Sequence, residues 1–168
     1  LNEVQPEKLE DFFRDFQFTG LNVTIPYKLQ VIDYLESMSD EARAINAVNV
    51  VKVLHDSDGT PHLKGYNSDV IGFSRSIAPL LGADDKKALV LGTGGASKAI
   101  VYALQQLGLE VQSVSRTANA DAIAYSDVTP EIMAPHTVIV NCTPLGMTGH
   151  GIDKCPDIPY NLLTSKHI

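Results

Sequence analysis

The sequence has no tryptophan, only two cysteines and no long uninterrupted run of apolar residues. Cys142 and Cys155 lie outside the paired Cys or His spacings that disulfide scaffolds and zinc sites use, so we expect neither a disulfide framework nor a metal site. Such sparse cysteine usage favours a reducing cytoplasm. Without an apolar run of membrane-spanning length, we expect no membrane helix.

Positive charge is also scarce. The chain has 13 Lys and Arg residues against 20 Asp and Glu, a formal net charge of −7, and no run of like charges that would form a basic stripe. We therefore expect no nucleic-acid partner. With 44% hydrophobic residues among 168, the composition predicts a soluble globular protein of one domain or two small ones, at about 150 residues per domain.

The first half predicts a small α/β unit in which a strand precedes a polar turn. Alternation over residues 21–25 predicts a strand that presents Asn22 and Thr24 on one face, and Lys28 follows in the turn. The other elements predicted here are a helix over 7–18, helical structure through 35, a helix capped by Ser39 or Asp40 that runs to 45, a hairpin of 48–54 with 62–66, and a helix that starts at 67–69 and runs to 81.

In the second half, strands and helices alternate along the sequence, which predicts a doubly wound α/β fold. Residues 88–91 form a continuous apolar run, typical of a parallel strand buried on both faces. A glycine loop, a helix to 107, a strand at 110–114, a helix near 129–131 and a strand at 137–140 complete a β-α-β-α-β order. A polar linker at 82–86 predicts a boundary between domains 1–82 and 83–168.

The glycine loop indicates a dinucleotide site. Glycines are needed where a pyrophosphate approaches bare backbone N–H groups at a helix N-terminus, and three glycines in four residues exceed the needs of an ordinary turn. The third position of the usual fingerprint holds a serine instead of glycine. The candidate cofactor-binding residues of this loop are Gly92, Thr93, Gly94, Gly95, Ala96 and Ser97.

The end of the following strand favours NADP over NAD. NAD-binding units carry an acidic residue at this point, which accepts from the ribose 2′-hydroxyl. The sequence has no carboxylate there. Arg116 instead offers a planar cation suited to a 2′-phosphate, flanked by the hydroxyls of Ser115 and Thr117.

Six segments follow one another along the chain: GLNVTIPYK (20–28), AVN (47–49), YNSD (66–69), GTGGAS (92–97), SRT (115–117) and NCTPLGM (141–147). Together they resemble the shikimate/quinate dehydrogenase family. The resemblance implies a substrate domain followed by a Rossmann domain, and reduction of 3-dehydroshikimate to shikimate with NADPH in the pathway to aromatic amino acids. The implied partner is a small-molecule substrate.

The resemblance also implies roles for individual residues. Lys28 and Asp69 would form the catalytic pair and contact substrate, which agrees with the need of a ketone reduction for a proton donor at the developing alkoxide. Thr24 and Asn49, with Asn22 as a weaker candidate, would bind substrate. The implied cofactor contacts outside the glycine loop and the Arg116 segment are Thr143, Met147 and Asp40.

The chain departs from the family pattern at several points. We expect the family's N-terminal serine pair to precede Leu1 and its late Gln-containing helix to follow Ile168, so the chain is expected to be an internal fragment. Ser115 stands where Asn is usual, and residues 118–121 lack a second basic residue. Two alternatives therefore remain, a quinate/shikimate dehydrogenase that uses NAD and a noncatalytic nucleotide-sensing module. The sequence specifies no oligomeric state.

Overall fold

The computed structural model describes residues 18–24 and 26–168. The chain divides between Asp69 and Val70 into two compact units. The predicted boundary at 82–86 lies further along the chain, and the difference has a packing reason: Phe73 and Leu81 pack against a core cluster of the second unit. The helix predicted over 7–18 falls outside the described residues except for Phe18.

The first unit is built on a four-stranded mixed sheet. Its strands are β1 (Gly20–Asn22), β2 (Ser37–Met38), β3 (Val50–His55) and β4 (Pro61–Tyr66), in the order β1-β3-β4-β2. β3 and β4 form the predicted antiparallel hairpin, with Val50 opposite Tyr66. β1 pairs antiparallel to β3, and β2 parallel to β4.

Short helices connect these strands. A 3-10 helix covers Gln30–Tyr34, and α1 (Asp40–Ile45) begins after Ser39, whose hydroxyl accepts the Ala42 N–H as predicted for a cap. One face of the sheet packs with these helices in a core of Val31, Ala42, Val48, Val51, Val53 and Leu63. Alternation along β3 and β4 points Lys52 and Lys64 away from this core.

Helix α2 (Ser68–Ile77) is shorter than the sequence predicts. It gives way to a 3-10 turn over Ala78–Leu80. Pro79 explains the change, because proline lacks an N–H to donate and disfavours α-helical backbone in the residue before it.

The second unit contains a four-stranded parallel sheet, which confirms the predicted doubly wound α/β class. Its strands are β5 (Lys87–Leu91), β6 (Glu110–Ser115), β7 (Ala122–Ala124) and β8 (Val138–Asn141), in the order β7-β6-β5-β8. Its helices are α3 (Gly95–Gln106) and α4 (Pro130–Met133), with 3-10 turns at Tyr125–Asp127 and Tyr160–Leu162.

The central strand β5 is buried on both faces, as its apolar run predicts. Ala88 and Val90 pack in a cluster with Leu104 of α3. The alternate residues Leu89 and Leu91 pack in a second cluster with Met133 of α4. The sheet is therefore covered on two sides, and the carboxyl ends of its strands reach one edge.

Two features of this sheet were not predicted from the sequence. β7 is a three-residue Ala-Ile-Ala strand without the β-branched enrichment that marks a strand. Ile168 donates to the Thr137 carbonyl and accepts from the Ile139 N–H, the pattern of a residue paired in parallel with β8.

Along 18–24 and 26–168, none of the helices is long and apolar enough to cross a membrane.

Candidate active site

Lys28 and Asp69 form a close ion pair in the first unit. The Lys28 Nζ lies 2.8 Å from the Asp69 Oδ2. The Lys28 side chain is 21% exposed and that of Asp69 40% exposed, so both are accessible to a ligand while the lysine is shielded on most sides. The sequence places these residues 41 positions apart, and the fold brings their charged atoms into contact.

A tight turn carries Lys28. The Tyr27 N–H donates to the Thr24 carbonyl at 2.8 Å, which closes the turn directly after β1. The Lys28 carbonyl accepts the Val48 N–H at 2.9 Å, and Val31 donates to Tyr27 as the next helix begins. The backbone of Lys28 is thus fixed on both sides, and the flexibility left to the residue is in its side chain.

Two asparagine side chains hold the start of α2, where Asp69 lies. Asn67 is the N-cap: its Oδ1 accepts the Asp69 N–H at 3.0 Å, and its Nδ2 donates to the Ala47 carbonyl at 3.0 Å. Asn49 accepts the Ser68 N–H at 2.8 Å, and its Nδ2 donates to the Ser68 hydroxyl. Because these asparagines satisfy the first N–H groups of the helix, the carboxylate of Asp69 is not used as a cap.

The predicted substrate-binding residues occupy different surroundings. Asn22 and Thr24 are both exposed, whereas Leu21 and Val23 between them are half-buried. Asn22 lines a shallow depression of about 380 Å³ with Lys52 and Tyr66. Asn49 is only 9% exposed. Its Oδ1 accepts from Ser68 and its Nδ2 donates to the Ser68 hydroxyl, which leaves one N–H without a partner among the described residues.

In the second unit, Gly92 is required by the backbone. Its φ of +105° lies in the region that favours glycine, and a Cβ there would meet the Thr143 Cγ2 at 3.1 Å and the Cys142 carbonyl carbon at 3.2 Å. The Gly92 N–H donates to the Val114 carbonyl at 2.7 Å. This glycine lets the chain leave β5 between two neighbouring strands and turn toward α3.

Gly94 and Gly95 have no such internal reason to be glycine. Gly94 has an ordinary φ of −78°, Gly95 is the first residue of α3, and a Cβ on either would have nothing within 4 Å. Both are exposed, as are Thr93 and Ala96. The bare backbone at the helix N-terminus leaves room for a group that approaches closely, and the helix dipole favours an anion.

A pocket of about 440 Å³ opens beside this loop, at the carboxyl ends of the strands. Its lining residues are Gly92, Thr93, Gly94, Ser115, Arg116, Tyr125, Cys142, Thr143, Pro144 and Leu145. Six of the predicted cofactor-binding residues are therefore brought together around one cavity. In α/β sheets, ligands bind at this position.

Arg116 places a cation on the rim of the pocket. It is exposed and follows the last residue of β6, and the Ser115 hydroxyl donates to the Thr117 carbonyl, which folds the segment back on itself. Tyr125 lines the same cavity. Burial raises the pKa of Tyr125, and the charge of Arg116 acts against that rise.

The loop after β8 shapes the opposite wall. Asn141 Oδ1 accepts both the N–H and the hydroxyl of Thr143, at 2.9 and 2.7 Å, and the Thr143 Oγ1 accepts the Leu145 N–H. Burial raises the pKa of the Cys142 thiol to about 11. Cys142 therefore stays protonated near neutral pH and acts as an apolar wall.

Some predicted cofactor-binding residues do not line this pocket. Ser97 is buried, and its hydroxyl donates to the Gly94 carbonyl at 2.6 Å, so it shapes the loop from inside. Met147 is 60% exposed and Asp40 is the exposed first residue of α1. The others outside the lining are Gly95, Ala96 and Thr117. Their contacts with a cofactor stay predictions.

The structure also identifies residues that the sequence reasoning missed. Tyr125 reaches the pocket through the unpredicted strand β7 and the turn after it, so no local signal marks it. Cys142, Pro144 and Leu145 belong to a segment already recognised as a motif. Asn67 lies in the predicted helix-start pattern. Among the described residues, no cluster of three or more His, Cys, Asp or Glu side chains could hold a metal ion.

Comparisons with known proteins find similar sequences and structures. A sequence profile for the shikimate dehydrogenase substrate binding domain matches residues 1–51. The shikimate dehydrogenase (NADP(+)) of Aquifex aeolicus is 37% identical over 179 aligned residues, which cover 99% of this chain and 63% of that protein. The crystal structure of shikimate dehydrogenase from Aquifex aeolicus matches with a TM-score of 0.78 and 32% identity, and covers 98% of this chain and 63% of that one.

A second structural match comes from a differently named enzyme. Quinate dehydrogenase from Corynebacterium glutamicum in complex with NAD matches with a TM-score of 0.79 and 27% identity, over 98% of this chain and 62% of that one.

This chain spans about 63% of the length of the shikimate dehydrogenase of Aquifex aeolicus. The sequence match to the Aquifex enzyme extends along almost all of this chain, so the chain is similar to that shikimate dehydrogenase over nearly its whole length.

Proposed function

We propose that the protein is an NADP-dependent shikimate dehydrogenase that interconverts 3-dehydroshikimate and shikimate. The observation that carries the proposal is the Lys28–Asp69 ion pair at 2.8 Å, with the carboxylate released from capping by Asn67 and Asn49. The Aquifex relative named shikimate dehydrogenase (NADP(+)) supports this choice of substrate and cofactor.

Lys28 is the proton donor of the reduction. As the carbonyl of the substrate becomes an alkoxide, an ammonium group beside the oxygen stabilises the negative charge and delivers a proton to it. In the reverse direction the same nitrogen accepts the hydroxyl proton. Asp69 holds the ammonium in place and contacts substrate beside it.

Substrate binding is assigned to the polar groups that surround the pair. Thr24 closes the turn that carries Lys28, so its hydroxyl is held near the start of that turn. Within the described part of the chain, Asn49 has one N–H left to donate after its bonds to Ser68. Asn22 is exposed on β1. Donors and acceptors of this kind suit a ligand with several hydroxyl groups and a carboxylate.

The glycine-loop pocket fits NADP. The open space at Gly94 and Gly95, where a Cβ would meet nothing within 4 Å, accommodates a pyrophosphate against bare N–H groups. Arg116, Ser115 and Thr117 would hold the 2′-phosphate, and the other residues proposed to bind NADP are Gly92, Thr93, Ala96, Ser97, Thr143, Met147 and Asp40. When bound, NADPH supplies the hydride of the reduction.

We assign residues 1–82 to a substrate-binding and catalytic domain and 83–168 to an NADP-binding domain. The profile match over residues 1–51 supports the first assignment. The pocket residues, which run from Gly92 to Leu145, support the second. The proposed partner is the small-molecule substrate, and the proposed location is the cytoplasm, which the sparse cysteine usage favours.

A second candidate is a quinate/shikimate dehydrogenase that uses NAD. Arg116 is the one cation among the pocket's lining residues, and residues 118–121 add none. The structural match to a quinate dehydrogenase in complex with NAD is consistent with this alternative. Arg116 in place of an acidic residue favours NADP.

The proposal is tested by oxidation of shikimate with NADP⁺, followed through NADPH absorbance, beside parallel reactions with quinate and with NAD⁺. The proposal predicts the highest kcat/KM for shikimate with NADP⁺. A preference for quinate and NAD⁺ would support the second candidate. Binding of NADP⁺ by calorimetry without turnover of either substrate would instead support a nucleotide-sensing module.

A further inference from the structure

The N-cap of helix α2 connects a buried amide to the reactive pair. Asn67 is only 4% exposed, and its side chain makes two hydrogen bonds in opposite directions. Its Nδ2 donates to the Ala47 carbonyl, and its Oδ1 accepts the N–H of Asp69. An amide that is both donor and acceptor is needed to bridge a carbonyl and an N–H in this way.

The Ala47 end of this bridge is itself firmly held. Ala47 is 1% exposed, and its N–H donates to the carbonyl of Ala42 within α1. The next residue, Val48, donates to the Lys28 carbonyl. The same short segment therefore contacts the backbone of Lys28 on one side and, through Asn67, the backbone of Asp69 on the other.

We infer that Asn67 is the positioning residue of the Lys28–Asp69 pair, an inference that rests on the proposed dehydrogenase function. Its side chain links the Ala47 carbonyl to the Asp69 N–H, so it fixes the Asp69 backbone relative to the segment that also holds the Lys28 carbonyl. Asn49 supports the same helix start from Ser68, one residue away. Asn67 touches neither ionised group of the pair, so its effect on the reaction passes through the placement of Asp69.

This role separates Asn67 from an ordinary helix cap. A cap stabilises the helix and leaves the chemistry unchanged. A positioning residue changes kcat more than KM, because only the substrate contact of Asp69 is disturbed while those proposed for Asn22, Thr24 and Asn49 survive, and the alignment of the proton donor is lost. Ser39 offers a matched comparison, because it caps α1 in the same unit through a side-chain oxygen that accepts the Ala42 N–H.

The test compares Asn67→Ala, Asn67→Asp and Ser39→Ala. Asn67→Ala loses both bonds, and we expect kcat to fall by about tenfold to a hundredfold, with a smaller change in the KM for shikimate. Asn67→Asp keeps an acceptor for the Asp69 N–H and loses the donor to Ala47, so we expect partial rescue. Ser39→Ala should lower the melting temperature and leave kcat at the wild-type value.

A second readout does not depend on turnover. Amide hydrogen exchange at Asp69 should be faster in Asn67→Ala than in wild type and unchanged in Ser39→Ala. If wild type shows no shikimate oxidation, the proposed function fails while the exchange experiment still reports on Asn67. Unchanged exchange at Asp69, or a kcat in Asn67→Ala equal to that of Ser39→Ala, would overturn the inference.

Discussion

The Lys28 ammonium and the Asp69 carboxylate meet at 2.8 Å although they come from a turn and a helix start that are 41 residues apart. An aspartate at the start of a helix usually caps it. Here Asn67 takes the capping role, which leaves the Asp69 carboxylate for the lysine. The pair is thus a product of tertiary structure, and its partly exposed position suits a substrate contact.

Gly95→Ala should separate cofactor binding from folding. A Cβ at this position meets nothing within 4 Å, and alanine has a higher helix propensity than glycine, so the melting temperature should stay equal or rise. The methyl group would occupy the space proposed for the pyrophosphate, and we expect the Kd for NADP⁺ to rise about tenfold or more.

Gly72→Ala is the matched control for that variant. Gly72 lies in α2, is exposed, and has equally open space at its Cβ position. Calorimetry should show wild-type NADP⁺ affinity for this variant. Equal affinities for Gly95→Ala and Gly72→Ala would contradict the proposed pyrophosphate position.

Arg116→Gln should change the choice of cofactor. The guanidinium is proposed to bind the 2′-phosphate, which NAD lacks, and a charge-assisted hydrogen bond contributes about 1.5–3 kcal/mol. We expect the Kd for NADP⁺ to rise by about tenfold to a hundredfold, with little change for NAD⁺. Arg75→Gln, an exposed arginine in α2, serves as the control. A parallel loss of both cofactors in Arg116→Gln would speak against this role.

His62 should make stability depend on pH. Its ring nitrogens lie 2.9 Å from Asp56 and 2.8 Å from Glu36. Hydrogen bonds to Asp56 and then Glu36 raise the pKa of His62 above its ordinary value of 6.5. Because the pKa of His62 is raised in the folded state, the stabilisation that the charged imidazole contributes is fully present below pH 6.5. It is lost as the pH rises through the pKa of His62 in the folded protein.

Thermal unfolding of wild type and His62→Gln across this pH range measures the effect. The melting temperature of wild type should exceed that of the variant at acidic pH, and the difference should shrink as the imidazole loses its proton. If the difference between the two melting temperatures grew with rising pH, it would contradict the conclusion that Asp56 and Glu36 stabilise the protonated form of His62.

The two cysteines should differ in reactivity. Burial raises the pKa of Cys142 to about 11, so its thiolate is rare near neutral pH, whereas Cys155 is exposed. We expect iodoacetamide to modify Cys155 first, and NADP⁺ to slow the residual reaction of Cys142, which lines the pocket. Mass spectrometry of Cys155→Ser against wild type resolves the two sites, and faster labelling of Cys142 would refute the expectation.

Local rules predicted the parts of the fold that depend on local sequence. The hairpin of β3 and β4, the cap at Ser39 and the doubly buried strand β5 follow from alternation, side-chain capping and an apolar run. The position of Gly92 follows from a glycine requirement at a strand end. The sequence therefore predicted six of the residues that line the pocket, from Gly92 to Thr143.

The rest depends on contacts that no local pattern encodes. β7 is a strand because it pairs with β6, and Tyr125 reaches the pocket only through it. Which asparagine caps α2 depends on the approach of residues 47–49 to 67–69. The shortening of α2 at Pro79 was readable from the sequence, since proline ends helices in a known way.

The most direct test of the central claim is a double-mutant cycle on Lys28 and Asp69. We predict that Lys28→Ala lowers kcat for shikimate by about 10²–10⁴-fold, that Asp69→Asn also lowers it, and that the double variant is barely worse than Lys28→Ala. Lys64→Ala, an exposed lysine on β4, should keep wild-type kcat. A Lys28→Ala variant as active as Lys64→Ala, or losses that add fully in the double variant, would contradict the account.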